Sequence, residues 1–507
     1  MDSVISIPEL SIVLGGTPLL PREAATLGRT LVQQRLSFPS LMELSFFEPP
    51  ESMQQRSAAT LGSAVRATLA GWTTPLFEGE ITAMEWGCGP SGERTLRLRA
   101  YDLTHRLRKR QPVRAHVGVT TADLARELAG PIGLEVSSAI PGPRWPRLLQ
   151  GRQTDFDLLA EICDRSGLQF TVRGGILHLL TLEGLDEATG PLILGDRLLE
   201  ASVEANGETS CRTAVARGWD PILAEKVDAR VTVPRTARRV PAEAPPDRMR
   251  GEPERTVVDR VFQDDAQAEA TAQAELDDRT AREVVLRGVA AGDPELRPGT
   301  RVTVRGLPPV AEGRYLLSAV THRIDSRHGY VSEISTELPA RRPQSHSVSA
   351  TLGTVTGVDD PERRCRVQVS LPALGDLDGG WMEVVTLAAG AGKGFVALPS
   401  MGDRVLVFFI SGDPAPGLVL GGLYGGEEPL DRGVDGGSVK RYTCVTPGGQ
   451  KLVLDDSGRR IRLETSEGSY VELAPELVRM HSRTALEIAA PGKPIVIKGA
   501  SIDFEEA

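Results

Sequence analysis

Apolar residues along this chain recur mostly at every second position, the spacing that turns one face of a β-strand to a core and the other to water. Arg94-Thr-Leu-Arg-Leu-Arg-Ala-Tyr101 is the clearest run, and Ile12-Val-Leu-Gly-Gly-Thr-Pro-Leu-Leu20 reads as two strands about a Gly-Gly turn. Helical signals are few and short. Thr120 with Asp123, and Thr154 with Asp157, are capping boxes that open amphipathic helices at Leu124–Leu128 and Leu158–Cys163, the second stopped by Gly167. Leu168–Leu180 reads as a hairpin about Gly174-Gly175. Ala266–Arg282 is helical by propensity, and strands return at Arg301–Gly306 and Gly313–Thr321. Pro234–Pro253, with five prolines, is expected as an exposed excursion, and Leu338–Ser349 as a linker. Gly353–Tyr424 has the rhythm of a small closed barrel, its strands Arg366–Leu371 and Asp403–Ile410 separated by turns such as Gly412-Asp-Pro414. A second linker, Gly425–Gly437, leads to the last segment.

That segment repeats. The pairs Leu452/Leu454, Ile461/Leu463, Val471/Leu473, Val478/Met480, Leu486/Ile488, Ile495/Ile497 and Ile502/Phe504 start 9, 10, 7, 8, 9 and 7 residues apart, with turns between most of them. Each pair occupies one face of a strand, and Arg, Glu and Lys occupy the other. About seven short strands with no helix to cover them cannot enclose a sufficient core alone. Burial against copies of the chain under closed symmetry is the simplest solution, and three-fold closure gives a prism in which each chain makes one wall. The first six pairs are the expected trimer-axis core, and Ile502 and Phe504 the expected tip-binding end.

Composition narrows the chemistry. The 507 residues carry 58 Lys and Arg against 68 Asp and Glu, a net charge of −10, which leaves no basic excess for phosphate backbones. No nucleic-acid partner is expected. Five cysteines with no C-x-x-C fit neither a zinc site nor a local disulfide framework. The amino terminus has no basic region before its apolar stretch, so the protein is expected to start in the cytosol. H-E-x-x-H, G-x-S-x-G and EF-hand patterns are missing from the sequence, so neither a catalytic residue, a metal nor a cofactor is expected. Gly390-Ala-Gly-Lys-Gly394 lacks the first Gly and the Ser/Thr of a phosphate loop and reads as a turn. His322 and His328 read as hydrogen-bonded or solvated, and Trp381, Phe408 and Phe409 as core residues of the small barrel.

Three stretches resemble the VgrG-like spike proteins of contractile injection systems, which are similar to fused phage hub and spike proteins. Pro75-Leu-Phe-Glu-Gly-Glu-Ile81 with Tyr101-Asp-Leu-Thr-His-Arg-Leu107 looks like the first hub barrel. Arg297-Pro-Gly-Thr-Arg-Val-Thr-Val-Arg-Gly-Leu307, Gly313-Arg-Tyr315 and Val320-Thr-His-Arg323 look like the second. Most specific is the small barrel: Gly353–Gly357, Asp360-Pro-Glu-Arg-Arg-Cys-Arg-Val-Gln-Val369, Trp381, Pro399–Phe409 and Val419–Tyr424.

The resemblance implies a mainly β chain: a first hub barrel over 1–120, an α+β connector over 121–185, a second hub barrel over 186–340, an OB-fold neck over 350–425 and an intertwined β-helical spike over 440–507. It implies a homotrimer whose paired barrels form a pseudo-six-fold ring. Expected partners are an inner tube or tube adaptor, baseplate proteins and a PAAR-like tip protein at the carboxyl end. No room for a lysozyme or toxin domain is evident. The leading expectation is a non-enzymatic needle within a phage tail-like particle, delivered to a target envelope. The alternative is a trimeric glycan hydrolase, for which Asp455 and Asp456 are the nearest carboxylate pair, although they sit in a turn signature.

Overall fold

The computed structural model describes residues 8–54, 60–220, 223–340, 349–409 and 417–504. The Gly412-Asp-Pro414 turn and most of the first linker lie outside them. Two compact units divide the chain, one running to Gly421 apart from Gly402–Arg404, the other made of those three residues and Gly422–Ala507.

The first unit is built on an eleven-stranded sheet. Its strands follow the order Leu198–Ala205, Val284–Ala291, Gly329–Ser335, Ala319–Asp325, Leu27–Arg35, Leu41–Phe47, Arg94–Tyr101, Phe77–Cys88, Ala64–Leu69, Leu10–Leu14 and Thr17–Pro18. Leu27–Arg35 pairs with Ala319–Asp325, so the two segments expected as hub barrels enclose separate cores yet share one sheet. One core holds Val32, Leu44, Val65 and Leu98, the other Leu198, Leu286, Val302 and Tyr315. Close backbone approach explains one glycine: a Cβ on Gly79 would stand 2.2 Å from the Tyr101 carbonyl oxygen of the neighbouring strand.

Between these halves the connector packs helices Thr121–Ala129 and Asp155–Arg165 on its own core of Leu124, Leu128, Phe156, Leu159 and Phe170. Both capping boxes form: Thr120 Oγ1 accepts from Asp123 N at 3.1 Å, and Thr154 Oγ1 accepts from Asp157 N at 3.1 Å. Gly174 and Gly175 turn the hairpin Gln169–Arg173/Ile176–Leu180 at positive φ, as its two-residue loop requires. The helix Asp265–Glu283 lies on the sheet of Thr213–Asp220, Glu225–Val231 and Glu254–Val261.

Two expectations for loops need correction. The Pro234–Pro253 excursion is not exposed throughout: Thr236, Ala237, Ala242 and Pro246 are buried. The reason lies in the helix, where Asp277 binds Arg235 and Glu283 binds Arg238 and accepts from Ala244 N at 3.3 Å, holding the first half of the segment. Leu338, taken as the start of a linker, is buried too, and Arg282 holds its carbonyl and that of Pro339.

Ser349–Gly357, Val367–Leu371, Leu377–Val384, Gly417–Gly422 and Arg404–Phe409 close a five-stranded barrel in that order, with Leu377–Val384 and Gly417–Gly422 parallel. That is the strand order of an OB fold. Val367, Val369, Met382, Val405, Val407 and Val419 fill it, and Leu149 of the connector joins its core. Of the three aromatics expected inside, only Phe409 is there; Trp381 and Phe408 are half-buried on the outer face. Alternation decides this, because their neighbours Met382, Val407 and Phe409 take the inward positions.

The second unit carries a five-stranded meander of Arg441–Val445, Lys451–Asp455, Arg460–Glu464, Tyr470–Leu473 and Val478–His481. Strands expected at 486–488, 495–497 and 502–504 are not formed. Among the described residues no strand pairs with that segment, so its backbone has no ladder to join.

Candidate functional site

The meander brings the first four predicted pairs, and one the pattern missed, onto one face. Leu452 lies opposite Leu463, Leu454 opposite Ile461, Leu463 opposite Val471, Ile461 opposite Leu473, Val471 opposite Met480 and Leu473 opposite Val478. Tyr442 and Cys444 extend the face, opposite Leu454 and Leu452. A Thr-Cys-Val strand with one aromatic is a weak pattern, and only its register shows that it belongs. Leu486, Ile488, Ile495, Ile497, Ile502 and Phe504 are exposed but outside any strand, so the structure does not assemble them with the others.

The two faces of this sheet are inverted relative to an ordinary protein surface. Leu463 is 53% exposed and Met480 62%, whereas the polar side is tied down. Arg462 pairs with Glu464 at 3.2 Å and Glu472 at 3.3 Å while its guanidinium stands 3.8 Å above the Tyr470 ring. Arg460 binds Asp455 at 3.2 Å. An ion-pair lattice with a cation–π stack gives the outer layer its rigidity without needing another chain. The aliphatic layer has no such partner. Backbone pairing from Arg441 to His481 runs within the chain: sequential hairpins satisfy these strands locally, strand against next strand.

At the head of the unit Asp431 accepts from Gly433 N at 2.8 Å, Thr443 Oγ1 at 2.8 Å and Arg441 at 2.9 Å. Arg441 above all holds its carboxyl well below the usual carboxylate range. The second linker is thereby fastened to the first strand.

Motif residues of the first unit act as structural clamps. His105 and Arg106 both grip Glu80, joining Pro75–Ile81 to Tyr101–Leu107, and Arg106 is the main reason the Glu80 carboxyl titrates low. Asp102 is buried, takes Ser40 N at 2.6 Å and Thr104 N at 3.0 Å, and caps the turn Leu103–Lys109. Arg297, buried, donates to the carbonyls of Pro294 and Pro75, tying the two hub motifs together. In the barrel Asp360 receives Arg366 at 2.7 Å and three backbone amides, and Arg366 chiefly drives its carboxyl far below normal.

Residues weighed for other chemistry are engaged structurally. Asp455, the last residue of the strand Lys451–Asp455, accepts from Gly458 N at 3.1 Å as well as from Arg460. His322 bonds Ser332 Oγ at 3.0 Å in the interior, His328 bonds Asp325 at 3.0 Å, and Gly390–Lys393 is the turn of a two-residue hairpin. Among the described residues no cluster of His, Cys, Asp and Glu is placed to hold a metal.

The order of these parts, a large sheet, a closed OB-type barrel and an apolar-faced meander, matches known proteins. The family model for the phage tail baseplate hub (GPD) matches residues 33–328, and the type VI secretion system/phage-baseplate injector OB domain matches 351–424. The chain belongs to the phage tail baseplate hub family. No curated protein matches it by sequence. Among solved structures the hub resembles a chain of the lidded Francisella PdpA–VgrG complex, at 8% identity over 95% of this chain and 81% of that one, TM-score 0.57. The half-lidded form gives 9% identity over 95% and 89%, TM-score 0.55. An E. coli component of the type VI secretion system, described as similar in structure to the T4 tail proteins gp27 and gp5, gives 13% identity over 78% and 96%, TM-score 0.50. Identities this low establish the fold. This hub is a structural protein of the baseplate type found in phage tails and type VI secretion systems.

Proposed function

We propose that this hub protein works as a homotrimer in which three copies of the Arg441–His481 sheet pack their aliphatic faces on one axis, forming a rigid spike. The observation that carries the reading is the inverted sheet: of the first four pairs, from Leu452 to Met480, seven apolar side chains are exposed and Val471 is half-buried, beside a polar face held by ion pairs. Covering such side chains contributes on the order of 1 kcal/mol each when they start half exposed. The pairs Leu486/Ile488 and Ile495/Ile497 would then continue the axis once neighbouring chains supply backbone partners. Ile502 and Phe504 would present an apolar end to a PAAR-like tip protein, Phe504 being 92% exposed in the single chain.

In this reading the hub sheet faces an inner tube or tube adaptor and other baseplate proteins. Contraction drives the spike through a target envelope from a tail-like particle assembled in the cytoplasm, and the chain is mechanical, not enzymatic. A partner held by the hub is supported by analogy with the Francisella complex, whose name pairs VgrG with PdpA. The deciding experiment is sedimentation of the purified chain with and without Leu463→Asp. A trimer lost in the variant is expected; an ordered single chain in the unaltered protein overturns the proposal.

A further inference from the structure

A cavity of about 420 Å³ opens where the first hub segment, the connector and the second hub segment meet. Its wall is mostly apolar: Val13, Val65, Leu76 and Phe77 come from the first hub segment, and Leu134 and Val172 from the connector. Cavities of roughly 300–1,000 Å³ with an apolar wall and a few polar groups are the size and make of ligand sites.

Two polar side chains in the wall lack what their burial demands. Arg297, 8% exposed, donates through Nε to the Pro294 carbonyl and through Nη2 to the Pro75 carbonyl. Among the described residues no carboxylate pairs with it and no acceptor meets its Nη1. Burial pushes the guanidinium below its ordinary pKa, as for a cation without a counter-charge. Gln34, 7% exposed, lies on the seam strand opposite Val320, and its Oε1 is buried with no hydrogen-bond partner among the described residues. A buried cation without a counter-ion and a buried acceptor without a donor are each unfavourable unless something bound satisfies them.

The acidic residues of the wall do not supply the missing charge. Glu78 pairs with Arg66 at 3.2 Å, and Glu80 is gripped by Arg106 and His105. Asp102 accepts from two backbone amides and the Thr104 hydroxyl, while burial pushes its carboxyl up toward the neutral form. What the cavity leaves open is one cation, one acceptor and an aliphatic wall.

We propose that the cavity binds an apolar residue carrying a free carboxylate and an acylated nitrogen, as at the carboxyl end of a polypeptide. The carboxylate meets Arg297 Nη1, the N–H donates to Gln34 Oε1, and the side chain lies against Val65, Leu134 and Val172. No residue of the aliphatic axis takes part, so the site is independent of the trimer proposed above.

Calorimetric titration of the full chain with N-acetyl-leucine tests this against two controls that each lack one group: isocaproate has no N–H, and N-acetyl-leucinamide has no carboxylate. N-acetyl-leucine should bind about tenfold more tightly than either, the worth of one hydrogen bond to an otherwise unsatisfied or charged group. Gln34→Met should erase the preference over isocaproate and keep the preference over the amide, and Arg297→Met should do the reverse. Because Arg297 also ties two loops, Gln34→Met carries the assignment if the arginine variant does not fold. Tighter binding of acetyl-Gly-Gly-Leu than of N-acetyl-leucine assigns the site to a polypeptide end, and equal binding to a free acylated amino acid. No binding of N-acetyl-leucine at millimolar concentration, equal binding of the controls, or a folded Gln34→Met with unchanged ratios overturns the proposal.

Discussion

Two sheets in this hub carry the same alternation and treat it oppositely. In the large sheet Val32, Leu44 and Leu98 are inaccessible to solvent, because the curled sheet and its hairpins enclose them within one chain. In the meander Leu452, Ile461 and Leu463, at the same spacing, stand 38–53% exposed, because no described part of the chain forms a second layer over them. Period two thus reveals that a face is to be buried without revealing whose atoms bury it.

The sharpest way to break the comparison is to put charge on the aliphatic face. Leu463→Asp should abolish the trimer at micromolar concentration while circular dichroism of the hub sheet is retained, since three unpaired carboxylates meeting on a dry axis cost several kcal/mol. Loss of hub structure in that variant would mean the two sheets are not independent in this respect.

Acid separates the two regions next. Burial lowers the pKa of His322 from 6.5 to about 3, so the folded hub keeps it neutral while the unfolded chain protonates it. Stability should fall as pH drops from about 6.5 toward about 3, by up to about 1.4 kcal/mol per pH unit, and be unaffected by this group above that window. Denaturant unfolding at pH 7 and pH 5 measures the slope. His322→Asn should flatten it, and an unchanged slope would remove His322 as its source.

Asp102→Ala should cost the hub about 2–3 kcal/mol in the same assay, because Ser40 N and Thr104 N lose a buried acceptor, and should leave the oligomer intact. Thr154→Ala should cost only about 1 kcal/mol, the worth of one capping side chain. Smallest in energy but sharpest in location is the thiol test. Cys444 lies on the aliphatic face and Cys365 on an exposed loop, so assembly should protect Cys444 from maleimide while Cys365 stays reactive. Equal labelling of both would place the axis elsewhere.

Much of this was legible because it depends on short-range rules. Both capping boxes, the Gly174-Gly175 hairpin, the helix over Asp265–Glu283 and four of the meander strands were predictable from spacing and cap chemistry. Misreadings came from long-range partners. Pro234–Pro253 looked exposed because nothing local shows that Asp277 and Glu283, tens of residues away, would hold it. Arg441–Val445 was missed as a strand of the meander because its membership depends on register with Lys451–Asp455. Trp381 and Phe408 looked like core because aromatics usually are, but side is set by the phase of the strand.

The amino-acid sequence by itself determined the mainly β character, the place of each turn, the small barrel and the apolar stripe of the last segment, since all of these follow from backbone preference and periodicity within about ten residues. Only the tertiary structure decided that the two hub halves share one sheet, that the strands of the meander pair in sequence order, and that among the described residues Thr82–Cys88 and Leu198–Ala205 keep one edge unpaired. Hydrogen bonds between distant strands choose those pairings, and a linear pattern carries no record of which of several equally spaced strands will become neighbours.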